Sequence, residues 1–142
     1  MIEFKNNGFT LIELLVVIAI MGILSSVVLA SLNQARTQGS DAAVKQNLQT
    51  VRVQAHIYAD DNNGDYGNIT NCSTGVFSDP IVTNAINAAV SAAGGGSPTC
   101  NGDGTGSSQK YAVSGPLKSG GTWCVDSRGI AMNGDAIGGE CQ

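Results

Sequence analysis

The sequence predicts an α+β protein in which one long amino-terminal helix, apolar in its first half and amphipathic in its second, packs on a small antiparallel β-sheet. Three observations predict it. Residues 11–32 are almost entirely Leu, Ile, Val, Ala and Met, interrupted by Glu13, Gly22 and small hydroxyl residues, and a run of about 20 such residues can cross a bilayer. Beyond it Val44, Leu48, Val51, Ala55 and Tyr58 recur at alternating steps of four and three, the period of a helix with one buried face. Near the carboxyl end, Tyr111 with Val113 and Trp123 with Val125 alternate at period two. Gly120-Gly121 and Arg128-Gly129 supply turns between them, the pattern of an antiparallel meander.

Residues 1–8 (Met-Ile-Glu-Phe-Lys-Asn-Asn-Gly) are too short and too polar for an ordinary secretory signal, whose apolar region precedes its cleavage site. Here the apolar region follows, so a cut at the end of the leader would leave it in the product. Within that region Glu13 is the anomaly. A carboxylate costs about 2.5–3.5 kcal/mol at mid-bilayer and less near an interface. Glu13 therefore either marks the polar edge of the span, solvated by headgroups, or is kept there for a function.

The segment Gly8-Phe9-Thr10-Leu11-Ile12-Glu13 resembles the processing site of the type IV pilin and pseudopilin family: glycine before the cut, phenylalanine after it, glutamate a few residues on, then the apolar run. The resemblance implies cleavage between Gly8 and Phe9 by a membrane-embedded prepilin peptidase, and N-methylation of the new Phe9 amine. It also implies a pilin-like fold and a homo-oligomeric filament in which Glu13 of an incoming subunit is attracted to the Phe9 amine of its neighbour. Such an attraction is weak in water and large where water is excluded, so it would set the axial register of the subunits. Leaders of this family tend to be basic, whereas here Lys5 is offset by Glu3, which weakens the positive-inside signal. On this reading the chain divides into a leader (1–8), a membrane-spanning and filament-core helix (9–32), its amphipathic continuation (33–61) and a disulfide-bonded globular domain (62–142).

The helix is expected to run unbroken from Phe9 to Ala59 or Asp60, roughly 75 Å at 1.5 Å per residue. No proline interrupts it, and Ala30 stands near the position where many family members have one, so a straighter helix is expected there. Small residues at Ala35, Gly39, Ala42 and Ala43 would let neighbouring helices approach. Asp60-Asp61-Asn62-Asn63-Gly64 ends the helix, with Asx and glycine favouring a turn. The ending Tyr58-Ala59-Asp60-Asp61-Asn62-Asn63 resembles that of the major pseudopilins of type II secretion. Asp60, Asp61 and Asp65 are the candidates for calcium, but the EF-hand spacing fails because Ala59 takes the first ligand position. Turn chemistry accounts for them, and no cofactor is expected.

Ser78-Asp79-Pro80 opens a second, short helix, with a capping residue followed by proline in the first turn. Ile81, Val82, Ala85, Ile86, Ala89, Val90 and Ala93 form its apolar face, and Gly94-Gly95-Gly96 stops it. Residues 101–108 read as a flexible loop, and 109–117, 122–127 and 129–133 as three strands. Trp123 is expected to pack on the long helix. The tail from 134 to 142 is pinned by its cysteine.

There are four cysteines, Cys72, Cys100, Cys124 and Cys141, without a C-x-x-C pair. An even count in a short extracytoplasmic domain reads as two disulfides. Three connectivities are open, and Cys72–Cys100 with Cys124–Cys141 is favoured because sequential pairing closes short loops that staple each half of the domain.

Functional chemistry is sparse. His56 is the only histidine, so a metal triad or a Ser-His-Asp relay has little to build on, and no phosphate-binding loop is present. With 142 residues, 19 of them glycine, the chain allows one small domain of modest core beyond the helix, poorly suited to a deep active site. An enzyme is not expected. The net charge of −4 argues against nucleic acid as an obligatory partner. Lys110, Lys118 and Arg128 are the basic residues of the globular domain on which DNA uptake would have to rely. Three functions compete. The first is a structural pilin for adhesion, motility or DNA uptake, held in the cytoplasmic membrane by lipid before the assembly machinery adds it to a surface fibre. The second is a pseudopilin of a type II secretion system in a periplasm-spanning filament. The third is a monomeric membrane-anchored binding domain.

Overall fold

The computed structural model describes residues 8–104 and 106–142; the rest of the expected leader, residues 1–7, lies outside the described residues. Helix α1, Leu11–Asp61, is 51 residues long. The chain divides into two compact units, one ending at Arg36 and one spanning Thr37–Gln142, so α1 contributes to both. In the first unit every described side chain is exposed. That part of the helix has the length and composition to cross a membrane.

The second unit is built on the amphipathic part of α1. Val44, Leu48, Val51, Ala55 and Ala59 are its buried residues: the expected stripe holds as far as Ala55, and at its end Ala59 is buried while Tyr58, expected there, is half-buried against the core. The helix ends where Gly64, at φ 84°, donates its N–H to the Ala59 carbonyl, a conformation that glycine adopts at no steric cost. A 3-10 turn (Gly75–Ser78) leads into α2, Pro80–Ala93. Asp79 caps α2, accepting from the Ile81 and Val82 N–H groups at 2.8 and 3.1 Å. Gly94, in the left-handed conformation, ends it. Ile81, expected on the apolar face of α2, is exposed instead, because that face narrows to Val82, Ala85, Ile86, Ala89 and Ala93.

Four strands form one antiparallel sheet in sequential order: β1 (Thr99–Gly102), β2 (Tyr111–Pro116), β3 (Thr122–Asp126) and β4 (Ala131–Asn133). A separate hairpin pairs β5 (Ala136–Ile137) with β6 (Glu140–Cys141). Period-two alternation gives the sheet two buried faces. Tyr111, Val113 and Val125 join α1 and α2 in the main core, with Trp123 packed at its edge. On the opposite face Ala112 and Cys124 join Ala136 and Cys141 of the hairpin. Tyr111 is the centre of the main core, with edge-on rings of Tyr66 at 4.8 Å and Phe77 at 6.1 Å. Trp123 does meet the long helix: the Lys45 ammonium stands 4.3 Å from its ring centroid.

Two parts of the sheet differ from the sequence expectation. β1 begins at Thr99 and takes in Asn101 and Gly102, residues expected in a loop. A four-residue strand with one buried side chain, Cys100, shows no alternation to detect. The loop that follows is also anchored, since the Asp65 carboxylate accepts from the Ser108 N–H at 3.0 Å and from the Ser107 hydroxyl. The tail is a hairpin, closed by paired backbone bonds between Asp135 and Gln142.

Polar side chains of α1 hold the turns of the meander. Asp41 accepts from the Lys118 and Ser119 N–H groups at 2.6 and 3.2 Å, so it caps the β2–β3 turn. Arg52 donates to the Gly129 carbonyl at 2.9 Å in the β3–β4 turn. The disulfides link Cys72 to Cys100 and Cys124 to Cys141.

The carboxylate of Asp126 is fully buried and ties that same turn to the tail. It accepts from the backbone N–H groups of Arg128, Ile130 and Cys141 at 3.0, 3.1 and 3.2 Å, and from the Arg128 guanidinium at 2.9 Å. Burial pushes its pKa up, but the Arg128 and backbone donors outweigh burial and hold it below the usual carboxylate range. A depressed folded-state pKa contributes stability that is present above the unfolded value of about 3.9 and lost as pH falls through the folded value. The detergent-solubilised chain should therefore lose stability on acidification below about pH 4. Asp126→Asn should cost about 1–3 kcal/mol at neutral pH, since the buried backbone N–H groups and Arg128 lose a charged acceptor, and should flatten the acid limb; denaturant melts across a pH series measure both. Replacing Cys124 and Cys141 together by serine opens a loop of 17 residues and should cost about 3 kcal/mol in the same assay.

Candidate functional site

The candidate site is the start of α1. Thr10 precedes the first helical residue, and its side chain and Glu13 cap the helix reciprocally. The Thr10 N–H donates to the Glu13 carboxylate at 2.8 Å, the Thr10 hydroxyl donates to the same oxygen at 2.8 Å, and the Glu13 N–H donates back to the hydroxyl at 3.3 Å. This is a capping box, Thr-x-x-Glu, and it satisfies two of the N–H groups that a helix start leaves without a partner. The signal is legible as Thr10-Leu11-Ile12-Glu13; the sequence reading uses only the carboxylate and passes over the hydroxyl that holds it. A carboxylate in the first turn also lies at the positive end of the helix dipole.

Gly8 and Phe9 come immediately before the cap and are exposed, Phe9 at 81 %. Phe9, Ile12, Glu13, Val16 and Val17 line one shallow, mostly apolar hollow on the helix surface. Glu13 is the one charged residue in that apolar lining. From Phe9 to Leu32 the apolar side chains find no partner within their own unit. Nothing at this end of the chain, among the described residues, arranges a nucleophile, a base and an orienting group.

The other predicted positions are dispersed. Asp60 and Asp61 are exposed in the last turn of α1. The Asp65 carboxylate is turned to the chain's own donors, the Ser107 hydroxyl and the Gly67 and Ser108 N–H groups, which lower its pKa. Among the described residues no group of three or more His, Cys, Asp or Glu is placed to hold a metal ion. Of the three basic residues considered for DNA, Lys110 pairs with Glu140 at 2.8 Å, and Arg128 pairs with Asp126 and with Glu140 at 3.1 Å. Lys110 is correspondingly raised in pKa and Glu140 lowered, each chiefly by the hydrogen bond between them.

Comparison with known proteins bears on the same end of the chain. Residues 4–29 match the model of the prokaryotic N-terminal methylation motif. Over 57 residues the chain is 44 % identical to the type IV wide pilus major component PilA4 of Thermus thermophilus, a match that covers 40 % of this chain and 44 % of that relative. No solved structure matches. The chain thus carries a prokaryotic N-terminal methylation motif that runs into a long apolar helix, and over less than half its length it is similar to a type IV pilus component.

Proposed function

We propose that the chain is a structural subunit, not an enzyme, of a type IV pilus or pilus-like filament. A prepilin peptidase cuts it between Gly8 and Phe9, and the Phe9 amine is methylated. The apolar part of α1 holds the subunit in the cytoplasmic membrane until the assembly machinery transfers it to the fibre. One observation carries the reading: an acid capped at the head of an apolar helix whose side chains have no partner in their own unit. Exposed apolar surface on this scale marks a lipid or protein contact. The naming of the Thermus relative as a major pilus component supports polymer over monomer. In the fibre Glu13 pairs with the Phe9 amine of the neighbouring subunit, and apolar packing of the helices fills the core. DNA contact is not part of the proposal, because two of its three candidate cations are already paired within the chain.

Mass spectrometry of subunits sheared from cells should find Phe9 as the first residue, bearing one methyl group. In a Gly8→Leu variant the uncut chain, starting at Met1, should accumulate in the membrane. Glu13→Ala should abolish fibres seen by electron microscopy while membrane fractionation shows normal insertion, since losing one partner of a buried pair costs about 3–5 kcal/mol per contact. Wild-type fibre yield in Glu13→Ala would refute the register role.

A further inference from the structure

Asparagine followed by glycine is the dipeptide most prone to deamidation, because glycine puts no side chain in the way of ring closure. The second unit holds three such pairs, Asn63–Gly64, Asn101–Gly102 and Asn133–Gly134. We infer that the fold leaves Asn63 as a modification site, converting to aspartate and isoaspartate in the native chain while Asn101 and Asn133 are protected.

In the reaction the Gly64 nitrogen gives up its proton to a base and attacks the Asn63 side-chain carbonyl carbon. The new nitrogen–carbon bond closes a succinimide, and the bond to the side-chain nitrogen breaks. That nitrogen leaves as ammonia with a proton from solvent. Water then opens the succinimide at one of its two carbonyls. The step therefore needs a free glycine nitrogen and an asparagine side chain able to swing onto it.

At each of the other two pairs the structure opposes one of these requirements. Asn101 lies within β1, paired opposite Ala112, and its side-chain nitrogen donates to the Ala136 carbonyl at 2.6 Å. Asn133 ends β4 opposite Trp123, and the Gly134 N–H donates across the sheet to the Thr122 carbonyl at 3.1 Å. The next residue, Asp135, is locked to Gln142 by two backbone bonds. At Asn101 the side chain must leave its bond to the hairpin, and at Asn133 the glycine nitrogen must leave its bond across the sheet.

Asn63 differs in what must open. It is exposed, sits at φ 56° in the left-handed region, and stands one residue past the Asn62 bond that closes the helix. The Gly64 N–H is held by one bond, to the Ala59 carbonyl at 2.7 Å. Fraying of a single terminal helical turn releases it, whereas the other two pairs are tied to the sheet and hairpin of the folded unit. The product adds a negative charge beside Asp60, Asp61 and Asp65. As isoaspartate it also routes the main chain through the side chain, lengthening it by one methylene and pulling Gly64 away from its cap.

The test is to hold the full chain, purified in detergent, at mildly alkaline pH and to follow all three peptides by mass mapping with isoaspartate detection. Asn63 should convert about tenfold faster than Asn101 or Asn133 in the folded chain, as expected for local against sub-global opening. After reduction and denaturation the three rates should converge. An Asn63→Gln variant should lose the early isoaspartate signal. Conversion of Asn101 or Asn133 at the pace of Asn63 in the folded chain would overturn the inference, as would an Asn63 that stays intact while the denatured chain converts, or an early signal that survives Asn63→Gln.

Discussion

One helix in this chain must satisfy two different surroundings, and the rest of the structure follows from that constraint. From Leu11 to Leu32 its side chains are apolar on nearly every side, Glu13 and three serines apart, and none is buried within its own unit. From Val44 to Ala59 it is amphipathic, with a stripe completely covered by its own domain. The first stretch calls for apolar surroundings, lipid or protein, and as a helix it satisfies its polar backbone groups internally. The second can be stable in water. A change of surroundings of this kind explains why the globular part gathers around the later turns of α1.

That globular part reaches stability with little apolar material. Glycine is frequent, and much of the main core consists of Val and Ala. Several devices add to it. The sheet is buried on both faces, so β2 and β3 contribute side chains in each direction. Two disulfides shorten the loops that the unfolded chain would explore. Charged groups are directed at backbone: Asp41 and Arg52 each fasten one hairpin turn to the helix, and Asp126 fastens a turn to the tail. Hydrogen bonds to charged groups contribute more than neutral ones, about 1.5–3 kcal/mol each, so a small domain gains from using its few charges in this way.

Much of this was legible in the sequence, for physical reasons. A period of 3.6 over many turns is a strong signal, and Val44, Leu48, Val51 and Ala55 are all buried as their spacing required. Capping chemistry is local, so Asp79-Pro80 marked the start of α2 correctly. The limits were reached where the determinant is tertiary. β1 and the β5–β6 hairpin are short, and their pairing is decided by neighbours distant in sequence. Asp41 and Arg52 lie off the apolar stripe and look like a solvated flank. Their partners stand 77 residues away, at Lys118 and Gly129, and no periodicity announces such a bond. At the candidate site the acid was conspicuous because it broke an apolar run; Thr10, a small hydroxyl residue beside it, was not.

The Thr10–Glu13 bonds also bear on how such a helix could leave water. A bare carboxylate entering hydrocarbon forfeits its hydration all at once. Glu13 instead carries a substitute shell made of its own chain's N–H and hydroxyl groups, so dehydration proceeds in stages and the barrier to insertion is lowered. The threonine thus stands in for solvent at the one charged position of an otherwise uncharged stretch.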